Sequence, residues 1–394
     1  MLTEFRTGSV YIFSLCCVTF VSFLGSSCSD NLPINSAPPI ASVIRIKNAV
    51  QGLDLKDKIS IQKIIPLSTS KEALIGSAEQ VVIRNSKLFI QDTHLGKIRV
   101  FDLEGRFLFD IGETGRGPGE FLDLTNIVFD SQSESIFTYS MSSQKLSQFQ
   151  LDGQLVKDHL IPFYASHFSV APTGDFLFYV NFNPHHSFGN FNLIITDRKL
   201  LIQEKNYPFH TGSMGSPAFS GFVQESPQDN LFHYSFCDTI FRITPSRNFP
   251  AYIVDFAPSS SPPPFNSEAN SPDFWGKLMI SSFLENPFWE TEELFCFSYM
   301  EAQKSKQAVW SKEREELYTF ETWKQYALGR VFTQVKGVHG THLISVLDAK
   351  WFNFFQDKDP DFIKELAEFS PALLAVSSQL VKNQNPLIII FYLK

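Results

Sequence analysis

Residues 108–121 read LFDIGETGRGPGEF, four glycines and a proline between an apolar run and an aromatic side chain. Two kinds of chemistry use such a stretch. The backbone N–H groups of a glycine-rich loop at a helix N-terminus cradle phosphate, and glycines also let a chain turn sharply between sheets. The first use requires a helix after the loop. Here Glu120-Phe121 runs into LDLTNIVFDSQSESIFTYS, where β-branched and aromatic runs alternate with Asp, Ser and Asn, a strand-and-turn pattern. No Lys-Ser or Lys-Thr pair closes the loop, and the spacing of Gly115, Gly117 and Gly119 is not a dinucleotide fingerprint. Gly115, Gly117, Pro118, Gly119, Glu120 and Phe121 therefore read as a structural loop. Arg116 within it is either a contact for an anionic ligand or a solvated loop residue.

The other residue types able to do chemistry are scattered. Of nine histidines, His185 and His186 share the polar loop NFNPHHSFGN, and His339 and His342 flank a turn in VHGTH. Adjacent or turn-spaced histidines rarely converge on one metal. They read as loop and turn residues, with His185 and His186 kept as candidate ligand contacts, and neither a metal nor a cofactor is expected. HTGSMGSPAFSG lacks the spacing of a nucleophile elbow, so no catalytic serine is expected there. Asp92, Asp102 and Asp130 end strand-like runs, where aspartate serves turns. Cys237 and Cys296 sit among aromatics, in YSFCDTIF and ELFCFSY, as small buried residues whose spacing implies no disulfide.

What must position these residues follows from composition. The chain of 394 residues is 14% aromatic, with 41 phenylalanines, but only 19% charged, a β-rich balance with ample core. A net charge of −8 without a long basic run argues against nucleic acid. Near the N-terminus Arg6 precedes VYIFSLCCVTFVSFL, 15 apolar-rich residues, too short for a membrane span but suited to an export signal. Gly25-Ser26-Ser27-Cys28 follows. Residues 1–27 read as a lipoprotein signal peptide, Cys28 as the lipidated residue and the Ser- and Pro-rich stretch 28–44 as a tether. The expected address is the cell envelope, as an outer-membrane lipoprotein facing the periplasm or the surface.

From Glu79 to Gly112 four apolar runs alternate with turns at Asn85-Ser86, His94-Leu95-Gly96 and Glu104-Gly105, a four-stranded meander. The pattern recurs at roughly 40-residue spacing, with VFDLEGRFL aligning on QFQLDGQLV, and the length suits six units. The fold class expected over 45–394 is therefore an all-β, six-bladed propeller of four-stranded antiparallel blades. Residues 257–292, rich in Pro and Ser and then aromatic, read as an insertion. Within it Trp275, Met279 and Phe283 mark an apolar stripe if Phe274 to Phe288 is helical. Asp359-Pro360 and Ser370-Pro371 announce helices before a closing strand, NPLIIIFYLK, expected to complete the blade begun near Ile59 to Leu67.

With LFIQDTHLGKIRVFDLEGRFLFDIGETGRGPGEF, CDTIFRI followed by PAYIVDF, and NQNPLIIIFYLK, the chain resembles the six-bladed β-propeller lipoproteins of Bacteroidetes, themselves similar to NHL-repeat propellers. The resemblance implies fold and compartment more than activity. Two functions stand open: a lipid-anchored binding or scaffolding propeller for a glycan, peptide or protein partner, monomeric and touching the membrane only through its lipid; and, as the alternative, a metal-dependent hydrolase or lyase with its site at the central channel. Without a convergent catalytic motif the first is preferred. Trp275 and Trp289, of the residue type that dominates recognition surfaces, join the candidate contacts.

Overall fold

The structure is a computed structural model that describes residues 40–51, 58–185, 187–209, 222–225, 229–245, 247–256, 271–321, 335–380 and 384–393. Its strands form six blades, each built on four antiparallel strands; two of these sheets gain a fifth, parallel strand at the outer edge, and a small two-stranded sheet lies between two blades. Blade 1 comprises Gln80–Arg84, Lys87–Asp92, Lys97–Asp102 and Phe107–Ile111. Blade 2 spans 126–160, blade 3 spans 167–208, blade 4 spans 222–255 and blade 5 spans 283–321. Innermost strands of neighbouring blades touch around the ring. Side-chain amides brace them. Gln80 accepts from the Ile127 amide at 3.3 Å, Asn126 donates to the Phe168 carbonyl at 2.8 Å, and Asn230 donates to the Ser169 hydroxyl at 2.8 Å. The chain is a six-bladed β-propeller.

The expected closure is observed. Blade 6 joins Val335–His339, His342–Leu347 and Leu387–Leu393 to Ile59–Pro66, which pairs antiparallel with the C-terminal strand, Ile389 opposite Ile64. Leu387 to Phe391 are all buried, which is why this strand carries an unbroken apolar run.

Two boundaries differ from the sequence reading. The tether was placed to residue 44, yet Ser42–Arg45 pairs in parallel with the outermost strand of blade 4, and Val50–Gln51 with that of blade 5. Ile44 and Ile46 are buried there, so the segment covers two sheet edges that would otherwise present unpaired backbone. The insertion placed at 257–292 also ends early, because Phe283–Glu290 is the innermost strand of blade 5. Its register shifts between Glu285 and Phe288, around Pro287. A bulge at an inner edge tolerates proline and hides the alternation that would have betrayed a strand.

Among the described residues four α-helices interrupt the meander. Helix α1, Pro272–Ile280, lies between blades 4 and 5, with Ser271 capping the Phe274 amide at 3.1 Å. Helices α2 (Ala349–Lys358), α3 (Pro360–Phe369) and α4 (Pro371–Ser377) lie between the second and third strands of blade 6. The caps anticipated at Asp359 and Ser370 accept from the Phe362 and Leu373 amides. Helix α2 went unforeseen; Asp348 caps it. Since strand direction alternates within each blade, every linker from an outermost strand to the next blade, and every hairpin between second and third strands, emerges at one end of the ring. All four helices and the glycine-rich loop share this loop face.

Candidate binding face

The glycine-rich loop is closed on itself. Glu113 and Thr114 pair in parallel with Glu120 and Phe121, and the Gly115 amide donates to the Phe121 carbonyl at 3.0 Å. The Glu120 carboxylate accepts from the Gly117 amide at 2.7 Å, and Asp158 on the outermost strand of blade 2 accepts from the Gly119 amide at 3.0 Å. Lys145 donates to the Gly117 carbonyl at 2.9 Å and lies 3.4 Å from Asp158. The amides that would cradle a phosphate thus already face two carboxylates of the protein. Gly112 and Gly119 adopt φ of 68° and 73°, which L side chains rarely accept. A Cβ on Gly115 would overlap the Glu120 carboxylate. Phe121 is buried and meets Phe149 edge-on at 5.9 Å, while Pro118 and Arg116 are exposed.

The carboxylates singled out in the sequence serve linkers and blades. Asp92, fully buried, accepts from the Gly76, Ser77 and Leu95 amides at 2.7–3.1 Å. Asp102 accepts from the Glu104 and Arg106 amides within a turn. Asp130 binds Arg198 of blade 3. At the same end of the ring as Asp130, Glu290 joins blade 4 to blade 5. It accepts from Arg242 at 2.8 Å and Lys312 at 2.9 Å, and from the Tyr252 hydroxyl. Burial alone would raise its carboxyl, but Arg242, Tyr252 and Lys312 together hold it below its ordinary value.

His185 stacks on Phe188 with ring centroids 4.5 Å apart, and its Nδ1 accepts from the Ser187 amide at 3.2 Å, so its ring belongs to its own turn. Burial pushes His167, at the head of blade 3, down to about 4. Cys237 and Cys296 are free thiols, each pushed up by burial. Among the described residues no group of three or more His, Cys, Asp or Glu side chains is placed to hold a metal ion. His186 and Cys28 lie outside the described residues.

The two tryptophans part company. Trp289, proposed as a surface contact, is only 9% exposed and packs in the core between blades 5 and 6 with Leu294 and Leu343. It lies not on an insertion but on the innermost strand of blade 5, whose pairing with the next strand turns the ring inward. Trp275 is 40% exposed on α1. The helix buries Phe274 and Leu278 against Phe236 and Phe283, and turns Trp275, Met279 and Ile280 outward. The apolar stripe expected through Trp275, Met279 and Phe283 is divided: the helix ends at Ile280 rather than Phe288, Trp275 and Met279 lie on its solvent side, and Phe283 is buried on the strand that follows. Helix α2 likewise exposes Trp351 and Phe354 while burying Phe352. An excess of aromatics around WFNFF, more than one helical face can bury, was the available signal.

A family model described as a domain of unknown function, DUF4934, matches residues 41–392, the span of the ring and its edge strands. The chain belongs to this family. This chain shares the fold of a solved Bacteroides fragilis protein described as exported, with TM-score 0.75 and 16% identity over 90% of this chain and 100% of that one. A Bacteroides vulgatus member of the DUF4221 family matches with TM-score 0.50 and 10% identity, over 86% and 99%. A virginiamycin B lyase of Staphylococcus aureus reaches only 0.42 at 14% identity, over 67% and 75%, too remote to carry an argument. No curated protein sequence matches this chain. Among the described residues no helix is long and apolar enough to cross a membrane.

Proposed function

We propose that this chain is a cell-envelope binding or scaffolding propeller, exported by residues 1–27, held to the membrane by lipid on Cys28, and engaging a glycan, peptide or protein partner through its loop face. The observation that carries the reading is the outer side of α1, where Trp275, Met279 and Ile280 are 40%, 52% and 73% exposed on a helix whose opposite side is locked into the core. Large apolar side chains held rigidly at the surface are what recognition uses, because little conformational freedom is lost on binding. The exported Bacteroides fragilis relative supports the compartment.

The test is a glycan and peptide panel read against wild type and Trp275→Ala. Loss of retention by a folded Trp275→Ala protein supports the reading; retention of every identified ligand at wild-type affinity removes α1 from the site. For the anchor, Cys28→Ser is expected to move the protein from the detergent-requiring fraction to the soluble one. A variant that stays membrane-bound with an intact N-terminus overturns the lipid anchor.

A further inference from the structure

A cavity opens between blades 5 and 6, away from the loop face. Leu294, Cys296 and Val309 of blade 5 face Leu343, Phe391 and Leu393 of blade 6 across a cavity of about 110 Å³. Protein interiors rarely keep a void larger than a water molecule. Small side chains at Cys296, Ala308 and Ser311 leave this one open. An enclosed apolar cavity of roughly 150 Å³ admits a six-carbon ring; here the inner wall of Leu294, Val309, Leu343, Phe391 and Leu393 suits apolar matter, while the open side is polar.

The mouth is different in kind. Lys58, Glu293, Glu313 and Arg314 border it, with the Lys58 ammonium 5.9 Å from the centre of the Tyr318 ring. Glu293 and Glu313–Arg314 lie on hairpins at the end of the blades opposite the loop face. Two cations and two carboxylates cancel, so the rim favours neither an anionic nor a cationic head, while its donors and acceptors both suit a hydroxyl.

We propose that this inter-blade cavity binds a short alkyl chain, of about four to five carbons by comparison with that reference cavity, carrying an uncharged, hydroxyl-bearing head that stays at the charged mouth. Straight-chain primary alcohols from ethanol to octanol are the probes, with binding to the purified chain read by calorimetry or ligand-observed NMR. Affinity is expected to rise about fourfold per methylene, which is about 0.8 kcal/mol per buried CH₂ converted to a ratio, and to level off at about four to five carbons. Cys296→Leu fills the space and is expected to weaken pentanol binding at least tenfold. Leu343→Ala enlarges it and is expected to move the break to chains two or three carbons longer. Should Cys296→Leu fail to fold, the Leu343→Ala series decides alone. An affinity independent of chain length overturns the proposal, as does a folded Leu343→Ala protein with the wild-type break point.

Discussion

The linker from blade 1 to blade 2 and helix α1 between blades 4 and 5 carry the chain across the same face, from an outermost strand to an innermost one, and they treat their side chains in opposite ways. The glycine-rich loop turns its polar groups inward: Glu120 and Asp158 occupy its amides and Lys145 a carbonyl. Helix α1 satisfies its backbone internally, so its side chains are free to divide, Phe274 and Leu278 into the core and Trp275, Met279 and Ile280 to solvent. An irregular linker must consume its hydrogen-bonding groups to stay ordered; a helical one can present a surface. The glycine-rich loop is thus a joint and α1 a platform.

That contrast can be broken at four positions. Phe274→Ala removes the ring that anchors α1 on Phe236 and is expected to cost about 3–5 kcal/mol, read as a large fall in the urea midpoint. If the midpoint holds, α1 is not anchored as described. Gly112→Ala places a Cβ at a φ of 68° and against the Phe121 ring; strain and overlap together should cost about 2–3 kcal/mol. A wild-type melt would mean that the joint has slack. On the platform a glycine behaves the other way. Gly276 has no neighbouring atom within 4 Å of an added Cβ, so Gly276→Ala should stabilise by about 0.4–1 kcal/mol. A drop in stability would show that something covers this side of α1. The smallest effect belongs to Trp275→Ala, within about 0.5 kcal/mol of wild type in the same urea titration; a loss as large as that of Phe274→Ala would make Trp275 core and end the distinction.

Neighbouring residues with opposite fates also mark the limit of what the sequence discloses. Turns were readable because their chemistry is local, and closure because an unbroken apolar run at the C-terminus needs a strand on each side. Gly105 and Gly153, aligned in VFDLEGRFL and QFQLDGQLV, take φ of 82° and 94° in matching turns. Blade 3 makes the same turn with Leu200 at φ 62°, its amide bonded to the Asp197 carbonyl, and no propensity nominates leucine there. The surrounding blade holds it. Tryptophan-bearing segments were harder still, since Trp289 and Trp275 are equally apolar and both lie in 257–292. Strand pairing across a bulge buries one and the seating of α1 exposes the other.

The sequence by itself determined the blade number, the antiparallel meander, the caps of α3 and α4, and the role of the glycine-rich loop, because each rests on contacts within a few dozen residues: alternation, turn residues, capping oxygens. It also determined that the last strand must be buried on both faces, since five consecutive apolar residues, Leu387 to Phe391, suit no half-exposed strand. The tertiary structure decided which row of α1 faces water, that residues 42–51 seal two blade edges, and that a cavity remains between blades 5 and 6. Those outcomes depend on how rigid blades meet across hundreds of residues, and the fit between two surfaces is not written in the pattern of either one.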